Sequence, residues 1–313
     1  MLLIQDNYFC FFRLYVVHGD NAGYHAIQGF FECFTASYYC RFCEMFKEVC
    51  KRRRVSVPYN LLRTVDNYRY DVNTNNVTLT GVKELCVWNE IPSYHCIVNF
   101  SCDIMHDLFE GVLKYDVCKI LFSSINDMGY FSVETPCERV NGFNYGPLEQ
   151  GNKPPTRRFS FDRFLNCSLN LSASKMICLT RYLGEMVGDL IPEGNSAWKL
   201  YLLLHDILDI IMCPVVEPGI DIHLSTLISE HHRYVNLFGD LKPKHHFMLH
   251  YPHMLKRNGP LSSLLALTSE RTHPIGKMYA KACNSRIDFA FSVSVKYQLS
   301  LCTISEGLVK SKY

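Results

Sequence analysis

The sequence predicts an α+β chain, strands first and helices after, the two kinds segregated rather than alternating. Three observations carry this. Residues 8–18, YFCFFRLYVVH, form a continuous apolar run. A second apolar run, YHCIVNFSC, occupies residues 94–102. From there the pattern changes period: Met105, Leu108, Phe109, Val112, Val117, Ile120 and Leu121 recur at helical spacing.

The first run ends at Gly19-Asp20. It reads as a strand buried on both faces, with a carboxylate at its C-terminal end. A signal peptide is the competing reading of the first residues. Asp6 and Arg13 interrupt the apolar stretch and no small-residue cleavage site follows, so the strand is preferred. Residues 40–54 carry a C-x-x-C and then the basic run Lys51 to Arg54. From 58 to 90 the chain is polar and Asn-rich, suited to loops and short strands. The run at 94–102 reads as a further strand, leading into Asp103-Ile-Met-His106-Asp107. A loop with Gly142, Gly146 and Pro154-Pro155 precedes helices near 173–191, 196–212, 221–238 and 244–257, and Gly259 closes the last. Residues 262–296 also read as helical.

Composition narrows the class. With 313 residues, 48% of them hydrophobic and 13% aromatic, the chain can bury a sizeable core. A net charge of +2 produces no overall field for a polyanion, so any nucleic-acid surface is a local patch. Fifteen cysteines, an odd number spread along a long chain, point to a reducing compartment with some thiolate metal ligation. No run of 18 apolar residues occurs, so no membrane span is expected.

Cys40 and Cys43 in "YYCRFC" supply two thiols, and "PKHHFMLHYP" supplies His245, His246 and His250. Two thiolates and two imidazoles complete a tetrahedral zinc shell. On a helix, residues four apart share a face, whereas residues five apart splay by about 140°. Helical geometry therefore prefers His246 with His250. Surface histidines and buried thiols are the plainer alternative.

"PKHHFMLHYPHMLKRNGPLSSLLALTSERTH" resembles the segment before the catalytic glutamate of RNase H-like DDE transposases. It is similar both to the CACTA/Mirage/Chapaev group and to the Transib group, which includes the V(D)J recombinase catalytic subunit. "VVHGDNAGYHAIQGFFECFTASYYCRFC" resembles the strand bearing their second aspartate, followed by the zinc C-x-x-C. "CDIMHDLFEGVLKYD" resembles a block frequent in transposon-derived proteins of the first group. The matching blocks cover residues 8–45, 82–121 and 240–290.

The resemblance implies roles by position. Asp20 becomes the second catalytic aspartate and Glu270 the closing glutamate. Cys40, Cys43, His245 and His250 become the ligands of a structural zinc, His245 displacing the His246 that helical spacing prefers. His106 falls where the recombinase has a basic group near the scissile phosphate. Asp20 and Glu270 would hold Mg²⁺, or Mn²⁺, if a complete site formed. The family uses three carboxylates, and the first is expected on a strand that precedes Asp20 by more than the residues present. Asp103 and Asp107 are further ligand candidates, or simply carboxylates complementing a helix dipole.

The expected architecture is a partial RNase H-like core with a small sheet, lacking its leading strands, plus a large helical insertion and a zinc link. Its parts are residues 1–103, a helical insertion at 104–242, and 243–313 with the zinc histidines and glutamate helix. The expected function is that of a DDE transposase fragment or domesticated remnant, ancestrally cleaving and joining DNA and inactive as given. DNA and a second copy of the chain are the expected partners, the nucleus the expected location. A zinc-stapled DNA-binding or protein-interaction domain without catalysis is the rival reading. The basic clusters at Lys51–Arg54, Arg157–Arg158 and Lys277–Lys281 would contact phosphates, or are only solvated faces.

Overall fold

A computed structural model describes residues 2–4, 8–10, 14–17, 19–265, 273–283 and 287–310. The chain forms two compact units, Met1–Leu265 and Ala266–Tyr313. The protein is about 63% helical. Strands among the described residues are β1 (Leu2–Ile4) and β2 (Tyr8–Cys10), an antiparallel pair of three residues each.

This corrects the expected fold class: among the described residues there is no RNase H-like sheet, and the protein is not α+β in that sense. The second apolar run shows why. Residues 94–102 turn back on themselves instead of extending. Val98 and Asn99 donate to the His95 carbonyl at 2.8 and 2.7 Å. The backbone N–H groups of His95 and Cys96 donate to the side chains of Asn99 and Asn89, both at 2.8 Å. Those donors are spent locally, so none remain for a ladder. Tyr94, Cys96 and Ile97 are buried all the same, against Phe30, Tyr68, Val82 and Cys86. Residues 14–17 lie outside any ladder; the Leu14 N–H donates to Ser93 Oγ and the Tyr15 carbonyl accepts from Asn99.

Helices build the rest. Asp20 caps α1 (Asn21–Gln28), its carboxylate accepting from the Gly23 N–H at 2.6 Å. Thr64 and Asn67 form a reciprocal capping box at the start of α2 (Val65–Thr74). The apolar spacing from Met105 onward yields a continuous buried helix: α3 (Leu113–Phe122), flanked without a break by π-helical turns over Met105–Val112 and Ser123–Asp127. Around it pack α4 (Ala173–Val187) and α5 (Ser196–Met212), and α5 packs in turn on α6 (Ile220–Phe238). The stretch expected as one helix at 244–257 is two, α7 (Pro243–Met248) and α8 (Tyr251–Asn258). Pro252 has no N–H to continue the ladder and restricts the residue before it, so the chain bends at Leu249-His250. α7 packs on Met105–Val112 and α8 on α6. The second unit comprises α9 (His273–Ala282) and α10 (Phe289–Lys310). No helix among the described residues is long and apolar enough to cross a membrane.

One side chain organises the irregular part of the first unit. The Arg63 guanidinium is buried and donates three ways: to the Cys40 carbonyl at 3.2 Å, the Asp71 carboxylate at 2.7 Å and the Thr80 carbonyl at 2.6 Å. Next to Thr80, Gly81 has φ +74°, and a Cβ there would lie 2.0 Å from the Tyr38 carbonyl oxygen. The loop approaching Cys40 is thus clamped from both sides. Arg63→Met should destabilise the first unit by roughly 3 kcal/mol, because Asp71 would be left buried without its partner. Chemical denaturation checks this, and an unchanged midpoint would contradict it.

Candidate metal centre

The C-x-x-C sits in a short extended turn. Arg63 donates its N–H to the Phe42 carbonyl at 3.0 Å and Glu44 donates to Leu61 at 2.9 Å, which pins Cys43 opposite Leu62. The Phe42 N–H points at Cys40 Sγ, 3.4 Å away. On the other side, α7 ends in a tight turn in which the Leu249 and His250 N–H groups donate to His246 and Phe247, both at 3.1 Å. That turn aims two imidazoles at the two thiols. Cys40 Sγ lies 3.5 Å from His250 Nε2, and Cys43 Sγ lies 3.3 Å from His246 Nε2. All four ligand atoms lie within 4.8 Å of one another, and all four residues are buried.

These separations test the fit to a metal. Zinc bonds of about 2.3 Å to sulfur and 2.0–2.1 Å to nitrogen put neighbouring tetrahedral ligands about 3.6 Å apart. The observed contacts of 3.3 and 3.5 Å are that edge length, shortened slightly. Electrostatics agree. Burial acts to raise the Cys40 thiol, but the Cys43 thiol and the His250 and His246 rings outweigh it and hold Cys40 well below its ordinary range. Burial and the neighbouring Cys40 push Cys43 well up. Burial acts to lower His246, yet the Cys40 sulfur carries it up to about 10. The cluster is thus a thiolate beside protons that a cation would displace. This buried Cys2His2 set can hold a metal such as zinc.

His245 is not part of it. The resemblance assigned the ligand role to His245; the structure puts His246 there. Adjacent helical residues point about 100° apart, so only one of the pair can face the thiols. Each ring nitrogen of His245 is already engaged. Nδ1 accepts from the Lys242 N–H at 3.1 Å, and Nε2 meets Asp116 Oδ1 at 3.3 Å. The other oxygen of Asp116 lies 2.9 Å from His231 Nε2. Asp116, His231 and His245 are fully buried. The His245 and His231 rings overcome the burial of Asp116 and hold its carboxyl far below the carboxylate range.

The carboxylate site fares differently. Asp20 is exposed and engaged as a helix cap. Glu270 lies outside the described residues. His106 Nδ1 sits 2.9 Å from Asp103 Oδ2, and Asp103 also accepts from the Asn21 N–H. Asp107 accepts from Asn21 Nδ2 at 2.7 Å, and burial, reinforced by Asp103, pushes its carboxyl up to about 8. Among the described residues, the Cys2His2 set is the group of three or more ligand-type side chains that converges. Asp20 and His106 do line one cavity, together with Lys242 and Lys244.

The sequence reading overlooked Arg41, between the two cysteines. Its buried guanidinium donates to Asn21 Oδ1 at 2.7 Å and to the Ser101 carbonyl at 3.2 Å, so the cysteine turn is tied to the start of α1. It also passed over the Asp116–His231–His245 network, for which the adjacent pair His231-His232 was the available signal.

Neither family models, nor curated proteins, nor solved structures match this chain.

Purified protein should lose its metal on Cys40→Ser, Cys43→Ser, His246→Ala or His250→Ala and retain it on His245→Ala. Metal content by mass spectrometry decides; the reverse result for the two adjacent histidines would overturn the assignment. Because Cys43 and His246 are both raised and hold protons at neutral pH, apparent affinity should climb with pH, by up to about a hundredfold per unit. A competition titration from pH 6 to 8 that shows no slope would count against this ligand set.

Proposed function

We propose that a structural zinc ion at Cys40, Cys43, His246 and His250 staples a helical, nucleic-acid-binding domain of DDE transposase descent, and that the chain does not cut DNA alone. The observation that supports it is the meeting of a C-x-x-C with a histidine pair more than 200 residues later, Cys43 with His246 and Cys40 with His250. That is the pairing of segments the resemblance implies, with one histidine exchanged. Descent is argued from the order of these motifs and not from the architecture.

Zinc supplies no chemistry in this reading. A closed shell of four protein ligands leaves no position for substrate, which is the mark of a structural site. The protein side of the design is orientation. Arg63 holds the Cys40 carbonyl and Arg41 anchors the turn between the cysteines. The Lys242–His245 contact fixes the start of α7, and hence the direction of His246.

Of the three basic clusters, Lys51–Arg54 lies wholly in the first unit's described surface close to the cysteine turn. The Arg52 side chain is 85% exposed, with Asp240 only at 4.0 Å, so it is available to a phosphate. Arg54 donates to the neutral Asn236 side-chain amide at 3.2 Å, a partner that a phosphate can displace. Cleavage is not supported: of the two catalytic carboxylates the resemblance assigns, Asp20 caps α1 and Glu270 lies outside the described residues, while Asp103 and Asp107 are engaged by His106 and Asn21.

Zinc-loaded protein should bind duplex DNA without sequence preference, with a dissociation constant on the order of 1–100 μM at physiological salt. Arg52→Ala with Arg54→Ala should reduce the salt slope of log K by about 2. Fluorescence anisotropy across a salt series reads both. No binding even at low salt would remove the DNA reading and leave the metal centre standing. Supercoiled plasmid with Mg²⁺ or Mn²⁺ should stay intact; nicking that Asp20→Asn abolishes would overturn the non-catalytic reading.

A further inference from the structure

The cavity beside α7 has a volume of about 350 Å³, within the range of small-ligand pockets. Its walls have two characters. Phe34, Tyr115 and Phe247 supply aromatic surface, and Lys242, Lys244 and His106 supply donors, with Asp20 the one acid among the described lining residues. Lys242 Nζ stands 4.4 Å from the centre of the Tyr115 ring. Phe247 is buried and meets Phe34 edge-on at 6.2 Å, so that wall is fixed by packing.

Lys244 is placed by design of the neighbouring helix. Gly111 lies in the π-helical stretch before α3, where a glycine is otherwise unfavourable. A Cβ at Gly111 would fall 2.4 Å from Lys244 Cδ. The missing side chain is what lets the lysine stem lie across the helix and its ammonium donate to the His106 carbonyl at 2.6 Å. The Lys244 side chain is half-buried, and among the described residues its ammonium bonds the His106 carbonyl and pairs with no carboxylate. The nearby acids are occupied. Asp103 holds His106, Asp107 bonds Asn21, Glu110 accepts from the Ala173 N–H, and Asp20 caps α1.

We propose that this cavity binds a 5′-phosphorylated nucleoside, the phosphate between Lys242 and Lys244 and the planar base against Tyr115 and Phe247. Both lysines line this one cavity, and charge-assisted hydrogen bonds from an ammonium to an anion are the strong ones. The aromatic walls receive a flat heterocycle, for which stacking is tolerant of base identity. The inference goes beyond the DNA-binding reading and does not depend on it, since the cavity residues are not those of the Lys51–Arg54 run. The same chemistry has two sources, a free mononucleotide or the phosphorylated end of a strand.

Isothermal titration of the zinc-loaded protein distinguishes them. AMP should bind with a dissociation constant on the order of 10–100 μM, and adenosine at least about tenfold more weakly. Lys244→Gln should weaken AMP at least about tenfold, and Tyr115→Leu should weaken it further through the base, while Lys83→Ala, which removes an exposed charge elsewhere, should not. Zinc content and thermal melting verify that each variant is folded; were Lys244→Gln to unfold, Lys242→Gln and the AMP–adenosine comparison carry the test. A short oligonucleotide with a 5′-phosphate that binds better than its 5′-hydroxyl form, when AMP does not bind, supports the proposal with the strand end as ligand. Equal binding of AMP and adenosine, or AMP binding unaffected by both lysine variants, overturns it. So does the absence of any binding by AMP together with equal binding of the two oligonucleotides. Each of these outcomes is independent of whether duplex DNA binds in the anisotropy assay.

Discussion

Two sulfurs and two imidazole nitrogens packed into a dry interior set the terms for the rest of the molecule. Left as free side chains they would be a liability: buried groups that ionise in competition with one another, with Cys40 held low and Cys43 and His246 held high. A tetrahedral cation turns the same arrangement into a cross-link. Around it lies a shell of buried polar contacts that would have little purpose otherwise. Arg63 gathers Cys40, Asp71 and Thr80. Arg41 gathers Asn21 and Ser101. Irregular backbone between residues 29 and 103 is held by these few groups because no sheet is there to hold it.

α7 works on two sides at once. His246 turns toward the thiols and His245 toward Asp116 and His231, so a single helical step separates the metal contact from an independent buried ion-pair network. Its Lys244 faces a third direction, into the aromatic cavity. Six residues therefore couple three environments. Sliding the helix by one position would spoil all of them together, which makes its register a strongly determined feature of the fold.

The legible parts of the sequence were the periodic ones. The run from Met105 to Leu121, and the stretches that became α4, α5 and α6, repeat apolar residues at helical spacing, and spacing survives whatever the tertiary context does. The apolar run at 94–102 was misread because a short buried run has the same composition as strand or as packed turn, and of the run at 8–18 Tyr8–Cys10 is strand while residues 14–17 are not. What decided 94–102 was the side chains of Asn89 and Asn99 capturing backbone donors, an event between specific atoms that no periodicity records. The metal centre was legible in its residue types and in three of its four ligands. Elementary helix geometry gave the fourth, His246, and the resemblance took it away. Arg41, Arg63, Asp116 and Lys244 were out of reach because their roles exist only across long sequence separations.

The 210-residue separation between Cys40 and His250 has a consequence during synthesis. At roughly 5–20 residues per second, some 10–40 seconds pass between the emergence of the first thiol and that of its last partner. Through that interval the cysteine pair is open to oxidants, to competing metals and to other chains. The first segment has a local cluster of its own around Phe30, Tyr68 and Tyr94, but its two thiols wait for their imidazole partners. The molecule must be completed almost to the end of its first unit before its beginning can be locked, so its yield in a cell should be governed by how well nascent thiols are kept reduced.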